Sequence, residues 1–258
     1  MNIVRQSSPN FNDRKEALDL LVLHYTGMET GDAAIERLCD PEASVSAHYV
    51  VRETGEIVQL VAEDKRAWHA GVSSWMGQTD LNSRSIGIEI VNGGHNVPLE
   101  DGSLPPYPDV QIEAVISLSK DIARRHAIRN TRIVGHSDIA PGRKIDPGEH
   151  FPWERLAQDG LGLWPAQREN ELDGSVHLMG HGLVPGARGE AVTRVKRRLF
   201  EIGYGVEAGD AYDQTCADCI DAFQRRWVQD RVSGAADLVT LRTLDRVADL
   251  YQRERQRT

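Results

Sequence analysis

Residues 134–147 read VGHSDIAPGRKIDP. A β-rich run precedes this stretch and ends at Gly135. A histidine follows the glycine at once, and a Pro-Gly pair separates that histidine from a lysine and an aspartate. Pro-Gly is typical of a tight turn, and the proline after Asp146 biases that residue toward an extended conformation. One loop therefore presents an imidazole, an ammonium and a carboxylate that its turn can fold toward one point.

A possible third ligand lies near the start of the chain. Residues 20–26 read LLVLHYT, a short apolar run that predicts a buried strand with His24 at its C-terminal end. A lone histidine at such a position is more often structural. However, catalytic zinc sites usually combine three protein ligands with one open position. We therefore predict one zinc ion per chain, held by His24, His136 and Asp146.

The composition is that of an ordinary soluble protein. The chain has 258 residues, of which 40% are hydrophobic and 27% charged. The formal net charge of −9 argues against broad nucleic-acid binding, which favours a basic surface. No apolar run approaches the roughly 20 residues of a membrane span, so we expect no transmembrane segment. Residues 1–9 contain no hydrophobic signal core, which fits a cytoplasmic protein, another export route or a trimmed signal.

Strands and helices follow one another through the first 159 residues. In the strand predicted at residues 85–92, Glu89 falls on the face opposite Ile88 and Ile90. Residues 1–19 are predicted to be an extended lead-in. The other predicted elements are a helix at 29–39, a hairpin of 46–51 and 57–61 around Gly55, a helix at 109–126, a strand at 131–135 and a helix beginning at 151. This order predicts an α/β fold with a mixed sheet flanked by helices, and with its site at the strand ends.

The rest of the chain has a different character. Residues 160–187 are rich in glycine and predict a linker, which separates a catalytic domain (1–159) from a C-terminal domain (188–258). The C-terminal domain contains three helical segments, 191–202, 215–229 and 238–250, which predict a small independent bundle. Cys216 and Cys219 lie in the second of these segments. We interpret them as two cysteines on a helix face rather than a redox or metal pair.

At this point the chain resembles a known family. Five separated motifs, in order, are similar to those of zinc-dependent N-acetylmuramoyl-L-alanine amidases of the amidase-2 type, the group of the AmpD and AmiD proteins. They are LHYT (23–26), SAHY (46–49), AWHAG (67–71), SIGIE (85–89) and the stretch that ends at Pro147. The C-terminal helices resemble the three-helix peptidoglycan-binding domain often attached to wall hydrolases. Its marks are Gly186, Gly189, Val192, Leu199, Gly203, Tyr204, Thr215, Phe223, Gln224, Thr240 and Leu244.

The resemblance implies an enzyme that cleaves the amide between N-acetylmuramic acid, or its 1,6-anhydro form, and L-alanine of the stem peptide. Its partners would be peptidoglycan and muropeptides. It implies the same three zinc ligands, with an aspartate where more distant phage enzymes have a cysteine. It places the family's catalytic glutamate at Glu89 and its catalytic lysine at Lys144.

Each of these positions also has a simpler interpretation. Glu89 could be a solvated strand residue, and Lys144 could pair with Asp146 and serve only the loop. Asp138 is either a partner of a ligand histidine or a helix N-cap.

Four further residues are predicted to contact the substrate. His69 resembles the family's substrate-cleft histidine, and Trp68, Asn92 and His48 are the other candidates for contact with the muropeptide.

Two other functions compete with the amidase. One is a protein that binds or senses peptidoglycan without cleaving it, but such relatives lose zinc ligands and this chain keeps all three. The other is a different zinc hydrolase, such as a peptidase.

The C-terminal domain favours a polymeric substrate in the periplasm or cell envelope, whereas the missing signal core favours the cytoplasm. The need for 1,6-anhydro ends, the length of the stem peptide and the oligomeric state stay open.

Overall fold

A mixed sheet of six strands forms the centre of the molecule. The computed structural model describes residues 2–166 and 182–257. The strands of the sheet lie in the order β1-β5-β4-β7-β3-β8, and only β4 and β5 are antiparallel. Their bounds are β1 Ile3–Arg5, β3 Leu20–Tyr25, β4 Tyr49–Val51, β5 Ile57–Gln59, β7 Ser85–Ile90 and β8 Ile133–Gly135. The α/β prediction is thereby confirmed.

Two neighbouring strands, β3 and β7, bring the site residues together. β3 pairs in parallel with β7, and His24 is directly opposite Glu89 in this register. Because side chains alternate across a strand, these two residues share one face. Their neighbours Leu23 and Ile88 are fully buried in the core on the other face. β8 pairs with the other edge of β3 and places Gly135 opposite Leu23.

Eight α-helices are found in the described part of the chain. The long helix α3 covers the apolar face of the sheet with Ile112, Val115, Leu118 and Ile122. Side chains cap several helices: Thr30 accepts from the Ala33 amide at the start of α1, and Asp213 from the Cys216 amide at the start of α7. The bounds are α1 Gly31–Cys39, α2 Leu81–Arg84, α3 Asp109–His126, α4 His136–Ile139, α5 Trp153–Gln158, α6 Glu190–Ile202, α7 Gln214–Trp227 and α8 Leu238–Gln256.

The predicted hairpin is confirmed, and the prediction for the lead-in needs a correction. β4 and β5 are joined by a turn in which Gly55 has a φ of 82°, a conformation that glycine adopts without strain.

Residues 1–19 are more ordered than predicted. They contribute β1 to the edge of the sheet and a further strand, β2 (Phe11–Asp13), which pairs with β6 (Lys65–Ala67) in a second, two-stranded sheet. These three-residue strands were missed because each is stabilised by a distant partner.

The three C-terminal helices are confirmed, but they do not form an independent bundle. One apolar cluster contains Leu20, Val22 and Trp75 of the first part together with Leu199 and Phe223 of the last. Both cysteines of α7 are free and buried in it. The helices bury their apolar stripe against the sheet region as well as against one another, because three short helices offer little core alone.

The predicted linker lies partly outside the described residues, which exclude 167–181. On its two described sides the chain is packed. Leu161 is buried, and Leu183 forms a β-bridge with Ala236. The domain boundaries stay a prediction. Among the described residues, no helix combines the length and apolar character needed to cross a bilayer.

Candidate active site

Three buried side chains meet at the C-terminal ends of β3 and β8. His24 Nδ1 lies 3.0 Å from His136 Nδ1 and 2.9 Å from Asp146 Oδ2, and the last two atoms are 3.0 Å apart. The structure therefore brings together the three residues predicted as metal ligands, as a triangle of two imidazole nitrogens and one carboxylate oxygen.

The ligand loop, residues 135–149, supplies two of the three. His136 opens the short helix α4 directly after β8, so the strand end fixes its position. Asp146 returns to the same point because the amide of Ser137 donates a 2.9 Å hydrogen bond to the Asp146 carbonyl. Gly142 provides the turn between them with a φ of 72°.

The outer ring nitrogens of both histidines are also held. His136 Nε2 lies 3.1 Å from the Ala70 carbonyl, which can only accept, so Nε2 carries the proton. In the neutral ring Nδ1 is then free to coordinate. His24 Nε2 lies 3.0 Å from His69 Nδ1, and His69 Nε2 lies 3.1 Å from the Ser85 hydroxyl.

Burial and charge favour the metal-binding forms of His24 and Asp146. Burial, with the neighbouring His136, lowers the pKa of His24 to about 4. Burial acts to raise the pKa of Asp146, but His136 and His24 outweigh it and hold that pKa well below its usual range. A neutral imidazole and an ionised carboxylate are the forms that bind a metal.

These residues fit a zinc ion. Two neutral imidazoles and a carboxylate are the donors of many catalytic zinc sites. Tetrahedral ligands about 2.0–2.1 Å from zinc lie roughly 3.3 Å from one another. The observed separations of 2.9–3.0 Å are close to that value.

A cleft of about 460 Å³ opens in front of the triangle. Glu89 and Lys144 both line it, with His136 and Asp146. One Glu89 carboxylate oxygen is buried and has no hydrogen-bond partner among the described residues. Burial, with the nearby Asp146, raises the pKa of Glu89 well above its usual range, and Lys144 partly opposes this. Glu89 is therefore set apart from an ordinary solvated glutamate.

Lys144 does not serve the loop as an ion-pair partner. Within residues 2–166 and 182–257, no carboxylate lies within 4.0 Å of its ammonium, so the predicted alternative of a pair with Asp146 is not seen. Its charge remains available at the wall of the cleft.

The four predicted substrate contacts have different positions. Trp68 lines the cleft, and so does part of His69, although the ring of His69 mainly supports His24. The prediction that His48 contacts the substrate is wrong. The His48 side chain is fully buried, its Nδ1 accepts from the Gly87 amide, and its Nε2 lies 3.1 Å from the Lys65 carbonyl.

Asn92 also needs a correction. Its amide donates to the Pro105 carbonyl and its oxygen accepts from the Gly94 amide, so the side chain ties down the loop that follows β7. It is 6% exposed and does not line the cleft.

Asp138 fits neither prediction fully. Its Oδ2 accepts from the Gly135 amide at 2.8 Å, which stabilises the start of α4 from within the helix rather than from the N-cap position. Its carboxylate does not contact either ligand histidine among the described residues. It also contacts Tyr204 and Arg226, which lie far away in the chain. No local pattern indicated those contacts.

Comparisons with known proteins agree with this geometry. A family model described as N-acetylmuramoyl-L-alanine amidase matches residues 14–149, which include every ligand and cleft residue named above. The chain is similar to the N-acetylmuramoyl-L-alanine amidase AmiD of Escherichia coli, with 43% identity over 182 residues and 65% of each chain covered. It is also similar to the 1,6-anhydro-N-acetylmuramyl-L-alanine amidase AmpD of Enterobacter cloacae, with 39% identity over 53% of this chain and 78% of that protein.

A solved structure extends the likeness beyond the matched family region. AmiD from E. coli, in complex with the substrate anhydro-N-acetylmuramic acid-L-Ala-D-γ-Glu-L-Lys, superposes with a TM-score of 0.74 and 34% identity. The superposition covers 93% of each chain, so it includes C-terminal helices as well as the sheet.

Proposed function

The chain belongs to the N-acetylmuramoyl-L-alanine amidase family, and from that premise we propose that it cleaves the bond between N-acetylmuramic acid and L-alanine with one zinc ion. It is an amidase of peptidoglycan turnover. The observation that carries the proposal is the triangle of His24, His136 and Asp146, which faces a cleft containing Glu89 and Lys144.

In this proposal His24, His136 and Asp146 would hold zinc beside the cleft. Zinc in such a site is a Lewis acid that activates water and polarises the substrate carbonyl. The chain's own contribution is rigidity. His69 and the Ala70 carbonyl fix the outer nitrogens of the two histidines, which orients their inner nitrogens.

Glu89 is proposed as the general base. Its buried carboxylate takes the proton from the attacking water and delivers it to the alanine nitrogen as the amide breaks. A raised pKa suits this double role, because it makes the carboxylate a stronger base toward the water than an ordinary glutamate.

Lys144 is proposed to stabilise the oxyanion that develops on the carbonyl oxygen. An ammonium without an ion-pair partner in the described structure is well suited to this, because negative charge builds up near it only during the reaction.

The substrate is proposed to be a muropeptide whose stem peptide lies along the cleft beside Trp68. AmiD, which is 34% identical over 93% of this chain, was solved with an anhydro-muropeptide, and that supports acceptance of the 1,6-anhydro form.

The cell envelope is the proposed site of action, since the C-terminal helices resemble a peptidoglycan-binding domain. A non-catalytic binding protein is not favoured, because the ligand triangle is intact.

The test is the mass of the products from zinc-loaded protein incubated with intact sacculi and with a soluble anhydro-muropeptide, beside a chelated control. Free stem peptides from both substrates, lost on chelation, are expected. Release from the soluble fragment alone would contradict the envelope assignment. No peptide from either substrate, despite bound zinc, would overturn the amidase.

A further inference from the structure

We propose that helix α7 of the C-terminal part is a structural component of the active site, with Arg226 and Arg225 as positioning residues for the ligand loop. The inference rests on the proposed function, because it concerns the metal-binding geometry of the same site. It adds a role for the C-terminal part that is distinct from binding peptidoglycan.

Arg226 joins both ends of the corner that presents His136. Its Nη1 donates a 2.6 Å hydrogen bond to Asp138 Oδ2, and its Nη2 a 3.0 Å bond to the Ile133 carbonyl. Ile133 belongs to β8 and Asp138 to α4, so the guanidinium spans the strand-to-helix junction on either side of His136. A rotation of that corner would break one of the two bonds.

This contact is deeply buried. Arg226 and Asp138 are each 1% exposed, and the guanidinium lies 4.1 Å from the centroid of the Trp153 ring and 4.5 Å from that of Trp227. Tyr204, two residues after the end of α6, donates from its hydroxyl to Asp138 Oδ1 at 2.8 Å. A buried charge costs folding free energy unless it is partnered. Nη1 and Nη2 of Arg226 have the partners given above, whereas its Nε has no hydrogen-bond partner among the described residues. Loss of Asp138 would leave the buried guanidinium still less satisfied, so the pair is a directional link between the two parts of the chain.

The neighbouring Arg225 holds the other end of the ligand loop. Its Nη1 donates to Glu149, three residues after the ligand Asp146, and lies 3.3 Å from His95 Nε2. Between these two anchors, an added Cβ at Gly142 would clash with the carboxylate of Asp218, so α7 also packs against the turn of the loop. One helix thus contacts the beginning, the turn and the end of the loop that carries His136, Lys144 and Asp146.

The test compares Arg226→Met with a matched control in the full-length chain. Arg226→Met keeps most of the side-chain volume and removes the charge. The control is Lys196→Met, because Lys196 is 4% exposed and its ion pair with Asp213 at 2.6 Å lies wholly within the C-terminal part of the chain. Tyr204→Phe is a milder second variant that removes only one hydrogen bond to Asp138.

The readouts are zinc affinity by competition with a chromophoric chelator, the visible spectrum of the cobalt-substituted protein, and kcat and KM on a soluble anhydro-muropeptide. All are measured where near-ultraviolet circular dichroism shows folded protein. For Arg226→Met we expect zinc affinity to fall by about tenfold, at the lower end of the effect of lost outer contacts. A changed cobalt spectrum and a lower kcat at a similar KM should accompany this. Tyr204→Phe should show smaller changes in the same direction.

Lys196→Met should lower the melting temperature and leave zinc affinity, spectrum and kcat unchanged. The inference is overturned if folded Arg226→Met and Tyr204→Phe bind zinc and turn over like the unmodified protein, or if Lys196→Met changes the spectrum equally. Failure of the unmodified protein to cleave the muropeptide would instead overturn the proposed function, and the zinc and cobalt measurements would still judge the role of α7.

Discussion

Glu89 combines a buried carboxylate oxygen with a place in the cleft, and this makes its protonation the first property to test at the residue scale. Glu89→Gln should lower kcat by roughly 10²–10⁴-fold, the usual contribution of a general base. Zinc content should not change, because Glu89 is not one of the three ligand residues. Turnover and metal analysis on the same sample check this. Near-normal turnover with zinc retained would remove Glu89 from the mechanism.

Lys144 should influence both the rate and its pH dependence. Lys144→Met should lower kcat by roughly 10²–10³-fold, as for other oxyanion stabilisers. Burial and Asp146 raise the pKa of Glu89, whereas Lys144 lowers it. A base acts only when deprotonated, so activity falls as pH drops through its pKa. Without Lys144 that pKa rises further, and the acid limb of kcat/KM should move to higher pH. An acid limb at the original pH would contradict this coupling.

A substitution at Gly87 tests whether His69 holds His24 in position. A Cβ added at Gly87 would lie 2.5 Å from Cγ of His69, so Gly87→Ala should displace that ring and break its hydrogen bond to His24. Zinc affinity should fall by roughly 10–100-fold, measured by chelator competition.

His69→Ala is the matched comparison for this substitution. If both variants act through one contact, the double variant should bind zinc no more weakly than His69→Ala alone. Additive losses would show that Gly87→Ala acts in some other way.

Local patterns pointed to the three residues that the structure brings together, but not to the contacts that hold them. His24 lies at the end of one apolar strand and His136 directly follows another. In each case the apolar run that indicates the site is adjacent to the histidine in the sequence. The contact that holds His24 comes from His69, which the motif alone suggested as a substrate contact. His48 belongs to the SAHY motif and Asn92 follows the strand that carries Glu89, but the side chains of both form hydrogen bonds with backbone groups. Sequence spacing does not show which side of a ring faces the cleft.

At the scale of elements, the loop before α2 joins the two parts of the fold. Trp75 is fully buried, donates to the Thr131 carbonyl at 3.1 Å, and packs edge-on against Tyr204 at 5.2 Å between ring centroids. Trp75→Ala should lower the free energy of unfolding by about 3–5 kcal/mol, measured by urea denaturation at fixed zinc. Val72→Ala, at a site 87% exposed, is the control and should change it by less than about 0.5 kcal/mol. Similar losses of unfolding free energy in both variants would show that Trp75 does not stabilise the contact between the two parts of the fold.

The helices were easier to predict than their packing. The apolar period of α3 and α7 is visible in the sequence, and both were located within two residues of their observed ends. The face of α7 that meets the ligand loop was not predicted, because Arg226 lies 88 residues from Asp138. A charged residue at the end of an amphipathic helix is usually solvated. Only the tertiary arrangement makes it a buried partner.

For the whole molecule, a shared core implies that metal binding and the C-terminal helices are thermodynamically coupled. Leu20 and Val22 of β3, the strand that carries His24, lie in one apolar cluster with Leu199 and Phe223. A ligand that binds only the folded state stabilises whatever unfolds with its site, by about 2.7 kcal/mol at a free concentration 100 times its Kd. Scanning calorimetry should therefore show one unfolding transition that moves as a whole to higher temperature with zinc.

The His24→Ala variant is the control for that measurement, because it removes a ligand while the core residues of β3 stay in place. Its transition should remain single and respond little to zinc. Two transitions in the unmodified protein, of which zinc moves only the one belonging to the sheet, would mean that the C-terminal helices unfold on their own. The packing of α7 against the ligand loop would then contribute little to the stability of the site, and the C-terminal part would be an attachment rather than a component of the enzyme.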